Sequence, residues 1–215
     1  MLRRRIIIVE DDPMTRGMLS TILENSGYEV AAAANAADAL RLFAMTDPDG
    51  MLLDIDLGVG ATGIDLADAI RIERPDIAIL FLTNLPDPRF AGRNADSLPE
   101  GIGYLRKDRL ANPGVLLTAL DDIMRGRGQR HRDDQSPNRP LADLSASQIS
   151  VLRMVALGMS NQEIADSRGT SIRAVQGLIS RALEIIGVPE SSEHTARLKA
   201  AREYMLAAGI PIGEK

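Results

Sequence analysis

Residues 6–13 read Ile6-Ile7-Ile8-Val9-Glu10-Asp11-Asp12-Pro13. The four β-branched residues form a run too short for a helix and apolar at every position, which predicts a strand covered on both faces. Acidic residues end it, and Pro13 stands where a first helical turn tolerates a missing N–H. Outward from this stretch the pattern alternates. Met18, Leu19, Ile22 and Leu23 recur at helical spacing, and Gly27 closes that helix. Tyr28 to Ala33 reads as a second strand, followed by a helix through Ala39, Leu40 and Phe43. Met51-Leu52-Leu53 leads into Asp54, and Gly63 opens a helix carrying Leu66, Ala69 and Ile70. Ile77 to Leu82 ends at Thr83, Ile102 to Leu105 stops just before Lys107, and Val115 to Ile123 is a last helix. A fourth helical segment is expected around Pro86 to Leu98, although Pro86, Pro88 and Gly92 oppose a long regular one. Five strands alternating with five helical segments predict a doubly wound parallel sheet.

The chain has 215 residues, enough for two domains with separate cores. Apolar residues make up 45% and aromatics only 3%, so the cores must be aliphatic. No apolar run approaches the length of a membrane span. Arg3-Arg4-Arg5 resembles the start of a secretory signal, but acidic residues end the apolar stretch too soon. There is no cysteine, which excludes disulfides, thiolate metal sites and cysteine nucleophiles. A cytoplasmic protein without membrane partners is expected. Charge divides the chain further. Residues 1–125 carry 13 basic against 20 acidic side chains, a balance of −7 that suits a cation site. Residues 126–142 balance at +2, and residues 143–215 at 0.

Residues 126–142 lose apolar periodicity and concentrate Gly, Pro, Arg and Asp, the composition of a solvated linker, with His131 a solvated residue inside it. The domains expected are thus 1–125, a linker at 126–142, and 143–215. In the last part every segment reads as helix. Ser145 with Gln148 and Ser160 with Glu163 form two capping-box patterns. Gly158, Gly169 and Gly187 fit C-terminal stops. Ile149, Leu152 and Val155 mark the first helix, and Ile164 and Ala165 the second. Val175, Ile179, Ala182 and Ile186 form one face of the third, and a fourth is expected from about Ser192 to Ala208. A short helix, a Gly-Thr turn and a capped longer helix meet the needs of a helix-turn-helix. A four-helix bundle for dimerisation or partner binding fits this periodicity equally.

In a doubly wound sheet, ligands bind beyond the carboxyl ends of the strands. Here those ends carry Glu10 and Asp11, Asp54, Thr83 and Lys107. Carboxylates gathered at one end of a sheet repel one another unless a cation sits among them, and hard oxygen ligands suit Mg²⁺. Asp54 can then act as nucleophile toward a phosphoryl donor. Lys107 would offset charge on the phosphoryl oxygens and Thr83 would offer a hydroxyl donor. Asp54-Ile55-Asp56 with Leu82-Thr83-Asn84 also resembles the first two motifs of haloacid-dehalogenase-type phosphatases. Their final acidic pair would have to be Asp121-Asp122, which falls in a helix pattern, and Glu10 and Asp11 would be left unexplained.

IIIVEDDP, MLLDID, FLTN and GYLRKD, in that order, resemble the receiver domain of two-component response regulators over about residues 3–125. The resemblance implies a flavodoxin-like fold with Asp54 as phosphoacceptor. It implies Asp11 as direct metal ligand, Glu10 as its acidic neighbour, and Asp56 as donor of a backbone carbonyl to the metal. Thr83 and Lys107 match the switch and phosphate-binding positions, and Tyr104 the switch aromatic. Gly58-Val59-Gly60-Ala61 departs from the usual proline-containing turn, and Asn84 stands where a small residue is common. Self-phosphorylation and slow self-dephosphorylation are the catalysis implied; otherwise the chain is not an enzyme.

From Leu144 to Val188 the sequence is similar, without gaps, to the output domain of the NarL/LuxR (FixJ) family. With the receiver resemblance implying a histidine kinase as partner, this similarity implies an all-α, four-helix DNA-binding domain and dimerisation through the last helix. It places DNA contacts on Thr170, Ser171, Arg173, Ala174, Gln176, Gly177, Ser180 and Arg181. Gln176 replaces a usual Lys or Arg, Leu178 a common His, and Ile185 a common basic residue. Fewer phosphate contacts mean weaker binding with a flatter salt dependence. The function expected is a transcription regulator whose dimerisation is controlled by phosphorylation. The alternative is a phosphorylation-controlled adaptor whose helical domain binds a protein.

Overall fold

The computed structural model describes residues 3–93, 98–188 and 193–210, with Glu193 described in its backbone alone. The chain forms two compact units. The first draws on the described residues of 1–84 and 98–134, the second on those of 85–97 and 135–215.

In the first unit, β1 (Arg5–Val9), β2 (Glu29–Ala33), β3 (Gly50–Leu53), β4 (Ala78–Thr83) and β5 (Gly103–Arg106) form one sheet in the order β2-β1-β3-β4-β5. Every pairing is parallel. The helices are α1 (Pro13–Asn25), α2 (Ala36–Thr46), α3 (Gly63–Glu73) and α4 (Pro113–Ile123). Residues in register share a face, and Ile8 pairs with Leu52, Leu52 with Leu80. That face packs Ile6, Ile8 and Leu80 against Leu19 and Leu23 of α1 and Leu116 and Leu120 of α4. The other face carries Ile7, Val9, Met51, Leu53 and Phe81, also fully buried. Burial on both faces explains the near-continuous apolar strands.

Local chemistry sets the helix starts. The Asp12 carboxylate accepts from the Thr15 N–H at 2.6 Å, with Pro13 in the first turn of α1. Thr62 and Asp65 form a reciprocal capping box at α3. Gly63 lies so close to β3 that a Cβ there would fall 1.9 Å from the Asp54 carbonyl oxygen. No side chain fits.

Two expectations fail. The helix expected around Pro86 to Leu98 is a single 3-10 turn, Pro88–Ala91, and it belongs to the second unit; residues 94–97 lie outside the described residues. Pro86 and Pro88 contribute no N–H, Asp87 caps the turn through the Arg89 N–H, and Gly92 leaves it at φ +79°. Nor is the whole of 126–142 a solvated linker. Residues 127–134 lie along β5: the Tyr104 N–H donates to the His131 carbonyl at 2.6 Å and the Arg106 N–H to the Asp133 carboxylate at 3.0 Å. Asp122 of α4 holds this segment, with its oxygens 2.9 Å from His131 Nε2 and 2.7 Å from Arg127 Nε. Arg132 and Asp134 make a two-pronged pair at 2.8 Å. A sequence that reads as polar and breaker-rich thus supplies ion pairs along a sheet edge.

In the second unit, α5 (Ala146–Ala156) and α6 (Asn161–Arg168) each begin with the expected capping box. Helix α7 (Ile172–Ile185) is capped by Ser171, and α8 (Glu193–Ala207) follows. The expected start of the last helix near Ser192 lies outside the described residues. Gly158, Gly169 and Gly187 all take positive φ, as helix stops require. Ile149, Leu152, Ile164, Val175, Ile179 and Ala182 share one core with Phe90 and Tyr204. Leu198 is exposed. No described helix is long and apolar enough to cross a membrane.

Two substitutions test this packing. Gly63→Ala should lower unfolding stability by about 1–3 kcal/mol through overpacking. Gly17→Ala, in α1 with open space around it, should raise stability by ~0.5–1 kcal/mol. Urea denaturation reads both, and equal effects would contradict the close approach at Gly63. Hydrogen bonds from His131 and Arg127 hold the Asp122 carboxyl below its usual pKa. A depressed carboxylate stabilises the fold above its unfolded pKa and loses that contribution as pH falls through the folded one. Asp122→Asn should therefore be less stable than the parent at neutral pH, with the gap closing below about pH 4.

Candidate functional site

Four strand ends build the site. In a parallel sheet the carboxyl ends of all strands lie on one side, and the order β2-β1-β3-β4-β5 reverses direction between β1 and β3. Glu10 follows β1, Asp54 follows β3, Thr83 ends β4 and Lys107 follows β5. The ladder continues past the strands: the Glu10 N–H donates to the Ala33 carbonyl and the Asp54 N–H to the Val9 carbonyl, at 3.1 and 2.8 Å. Backbone pairing thus fixes where both carboxylates start.

Lys107 Nζ stands 2.6 Å from Asp54 Oδ2 and 2.7 Å from Glu10 Oε2, so one ammonium bridges two buried carboxylates. The Thr83 hydroxyl hydrogen-bonds the Asp54 carboxylate, and the Asp56 N–H donates to Asp54 Oδ1 at 3.2 Å. Burial pushes the Asp54 carboxyl pKa up, against the opposing pull of Lys107 and Thr83. Glu10 is pushed up for the same reason. Burial works against charge on Lys107, but the two carboxylates prevail and hold its pKa above the usual value. Two carboxylates roughly 4 Å apart repel by about 4 kcal/mol at an effective dielectric near 20, which is why a cation must stand among them.

Asp11 differs from its neighbours: it is exposed, yet it offers an oxygen within 4.8 Å of ligand atoms on Glu10 and Asp54. Three carboxylate oxygens so grouped are a donor set for a hard divalent cation, with more negative charge than Lys107 alone offsets. Asp56 is exposed as well, its N–H turned to Asp54. The expected residues Glu10, Asp11, Asp54, Thr83 and Lys107 therefore come together. Tyr104 does not join them; it is buried on β5 with its ring centroid 6.3 Å from that of Phe81. Asp121 and Asp122 sit on α4, paired with Arg125 and with His131 and Arg127, and take no part.

Sequence reading missed Arg16. From the first turn of α1 its Nη1 donates to the Glu10 and Asp11 carbonyls at 2.6 and 3.0 Å, pinning the acidic loop. The signal was its position one helical turn after the Asp12 cap.

In the helical unit, α6, the turn at Gly169-Thr170 and α7 have helix-turn-helix geometry. Thr170, Ser171, Arg173, Ser180 and Arg181 are exposed, and Ala174, Gln176 and Gly177 half-buried. Val175 and Ile179 face the core, so Arg173, Ala174, Gly177, Ser180 and Arg181 lie on the outward side of α7, Gln176 on its flank, and Thr170 and Ser171 just before its first residue. Leu178 packs partly against the core, whereas Ile185 is exposed.

Residues 6–112 match the family described as response regulator receiver domain. The oxygen regulatory protein NreC of Staphylococcus haemolyticus is 26% identical, over 91% of this chain and 98% of its own length. A nitrate/nitrite response regulator protein homolog of Haemophilus influenzae is 27% identical, over 75% of this chain and 79% of its own. Among solved structures, a chain from a structure of two RcsB dimers bound to two parallel DNAs aligns with a TM-score of 0.59 at 23% identity, covering 93% of this chain and 99% of that one. The likeness in fold thus runs through both units. The chain belongs to the two-component response regulators of the NarL/LuxR family, with a receiver domain in its first unit.

Proposed function

We propose that this response regulator is phosphorylated on Asp54 by a histidine kinase and controls transcription through its helix-turn-helix unit. The observation that carries the reading is Lys107 bridging Glu10 and Asp54 while Thr83 bonds Asp54. An Asp54 oxygen forms the new O–P bond as the phosphohistidine N–P bond breaks and the imidazole leaves with a proton. The Lys107 ammonium and the Thr83 hydroxyl, already on the Asp54 carboxylate, stand ready to bond the phosphoryl oxygens. Glu10, Asp11 and Asp54, with the Asp56 carbonyl, would hold Mg²⁺, which when bound offsets phosphoryl charge. Slow hydrolysis returns the carboxylate: water attacks phosphorus, the P–O bond to Asp54 breaks and inorganic phosphate leaves. No other catalysis is proposed.

The outward side of α7 is read as the DNA face, with Arg173 and Arg181 on phosphates and Gln176 able to pair with an adenine edge. Phosphorylation adds about two negative charges at Asp54 and would shift a two-state receiver toward pairing of helical units, two recognition helices meeting half-sites one turn apart. Similarity to regulators over nearly the whole chain supports this reading over a protein-binding adaptor. Cytoplasmic location follows from the kinase partner and the DNA target.

Pull-down of sheared genomic DNA, with and without beryllofluoride as phosphoryl mimic, should enrich a few sites sharing an inverted repeat. No enrichment by folded protein in either state would reject DNA as the target. Asp54→Asn should abolish phosphoryl uptake from a labelled donor; unchanged uptake would reject the site. Arg173→Ala and Arg181→Ala should each flatten the slope of log affinity against log salt by about one, with uptake on Asp54 unchanged.

A further inference from the structure

The β4–β5 connection is part of the helical unit's interior. The chain leaves the first unit after Asn84, and Leu85 and Phe90 already pack in the core of the second. Phe90 is 2% exposed and stacks on Tyr204 of α8, ring centroids 5.5 Å apart and planes 25° off parallel. Beside it lies an ion pair with almost no solvent: Asp87 is 1% exposed and Arg89 5%. Arg89 Nε and Nη2 donate to the two Asp87 oxygens at 2.9 and 2.6 Å. Asp87 also accepts from the Arg89 N–H at 2.9 Å and from Arg139 Nε at 3.0 Å. The remaining Arg89 donors go to the carbonyls of Ala142, at 3.1 Å, Leu141, at 3.3 Å, and Leu144. A buried ion pair persists only when its other hydrogen-bonding capacity is met, and here four bonds on the carboxylate and three on carbonyls meet it. Leu141 takes φ +52°, a left-handed conformation unusual for leucine, in the loop whose carbonyls Arg89 reads. These bonds and the Phe90–Tyr204 stack dock residues 85–93 in the helical unit.

Position along the chain gives the dock its meaning. Thr83, whose hydroxyl bonds Asp54, lies four residues before Asp87. We propose that residues 85–93 are a strap by which the state of Asp54 acts on the helical unit: when Thr83 is drawn to a phosphoryl group on Asp54, the strap is pulled from its dock. The inference rests on Asp54 being the phosphoacceptor. Linkage makes it reciprocal, because whatever loosens the strap also eases the phosphorylated state. The strap stands where a helix was expected, so one of the chain's crossings into the second unit comes directly after Thr83 and Asn84.

Hydrogen exchange on the full chain tests this without requiring DNA. The Phe90 and Gly92 amides donate within the strap, to the Asp87 and Arg89 carbonyls, and report its docking. With Mg²⁺ and beryllofluoride, their exchange should accelerate at least tenfold in the parent and remain slow in Asp54→Asn. Inserting two glycines between Asn84 and Leu85 leaves every docking residue in place but slackens the tether. That variant should bind beryllofluoride and keep slow basal exchange, yet lose the acceleration. Phe90→Ala should exchange fast without the mimic and bind beryllofluoride more tightly than the parent. Bound beryllofluoride with unchanged strap amides, or full acceleration in the insertion variant, would overturn the strap while leaving the Asp54 site intact. Failure of the parent to bind beryllofluoride at all would overturn both.

Discussion

One ammonium between two carboxylates is the interaction on which the rest of the first unit depends. Lys107 is 97 residues from Glu10 and 53 from Asp54, and it meets both only because β1, β3 and β5 run parallel and end on the same side. Buried carboxylates without that cation would be costly, and their burial already drives both pKa values upward. The site is therefore charged against its surroundings. It holds one cation, has the ligands for a second, and places a hydroxyl on the carboxylate that would carry the phosphoryl group.

The same logic of satisfied burial recurs away from the site. Asp122 gathers His131 and Arg127, Arg132 grips Asp134, and Asp87 grips Arg89. In each case a charge that reads as surface in the sequence is drawn inward by a partner close along the chain. These pairs give orientation more than stability, since apolar substitutes would pack as well. Orientation is what a regulator needs: one pair fastens residues 127–134 along β5, another fastens residues 85–93 within the helical core.

Much of the site was legible. Glu10, Asp11, Asp54, Thr83 and Lys107 each follow an apolar run, and the rule that parallel strands end together is enough to assemble them. The caps at Ser145 and Ser160 were legible for the same local reason, since an N-cap and its N–H partner lie within one turn. Arg16 was less so: a side chain that bonds two carbonyls leaves no periodic trace, and its place one turn after Asp12 was a weak sign. The segment from Pro86 onward was misread for the opposite reason: its place in the order of elements argued for a helix, while its prolines argued against one, and the prolines prevailed.

What the sequence determined by itself is the order of elements, the alternation of faces and which polar residues close the strands, because these follow from periodicity and from rules spanning a few residues. Tertiary structure alone decided which unit residues 85–93 join, that residues 127–134 line β5, and that Lys107 pairs with Glu10 as well as Asp54. Those outcomes depend on the cost of burying a charge, and that cost is set by neighbours that only the folded chain brings within 3 Å of each other.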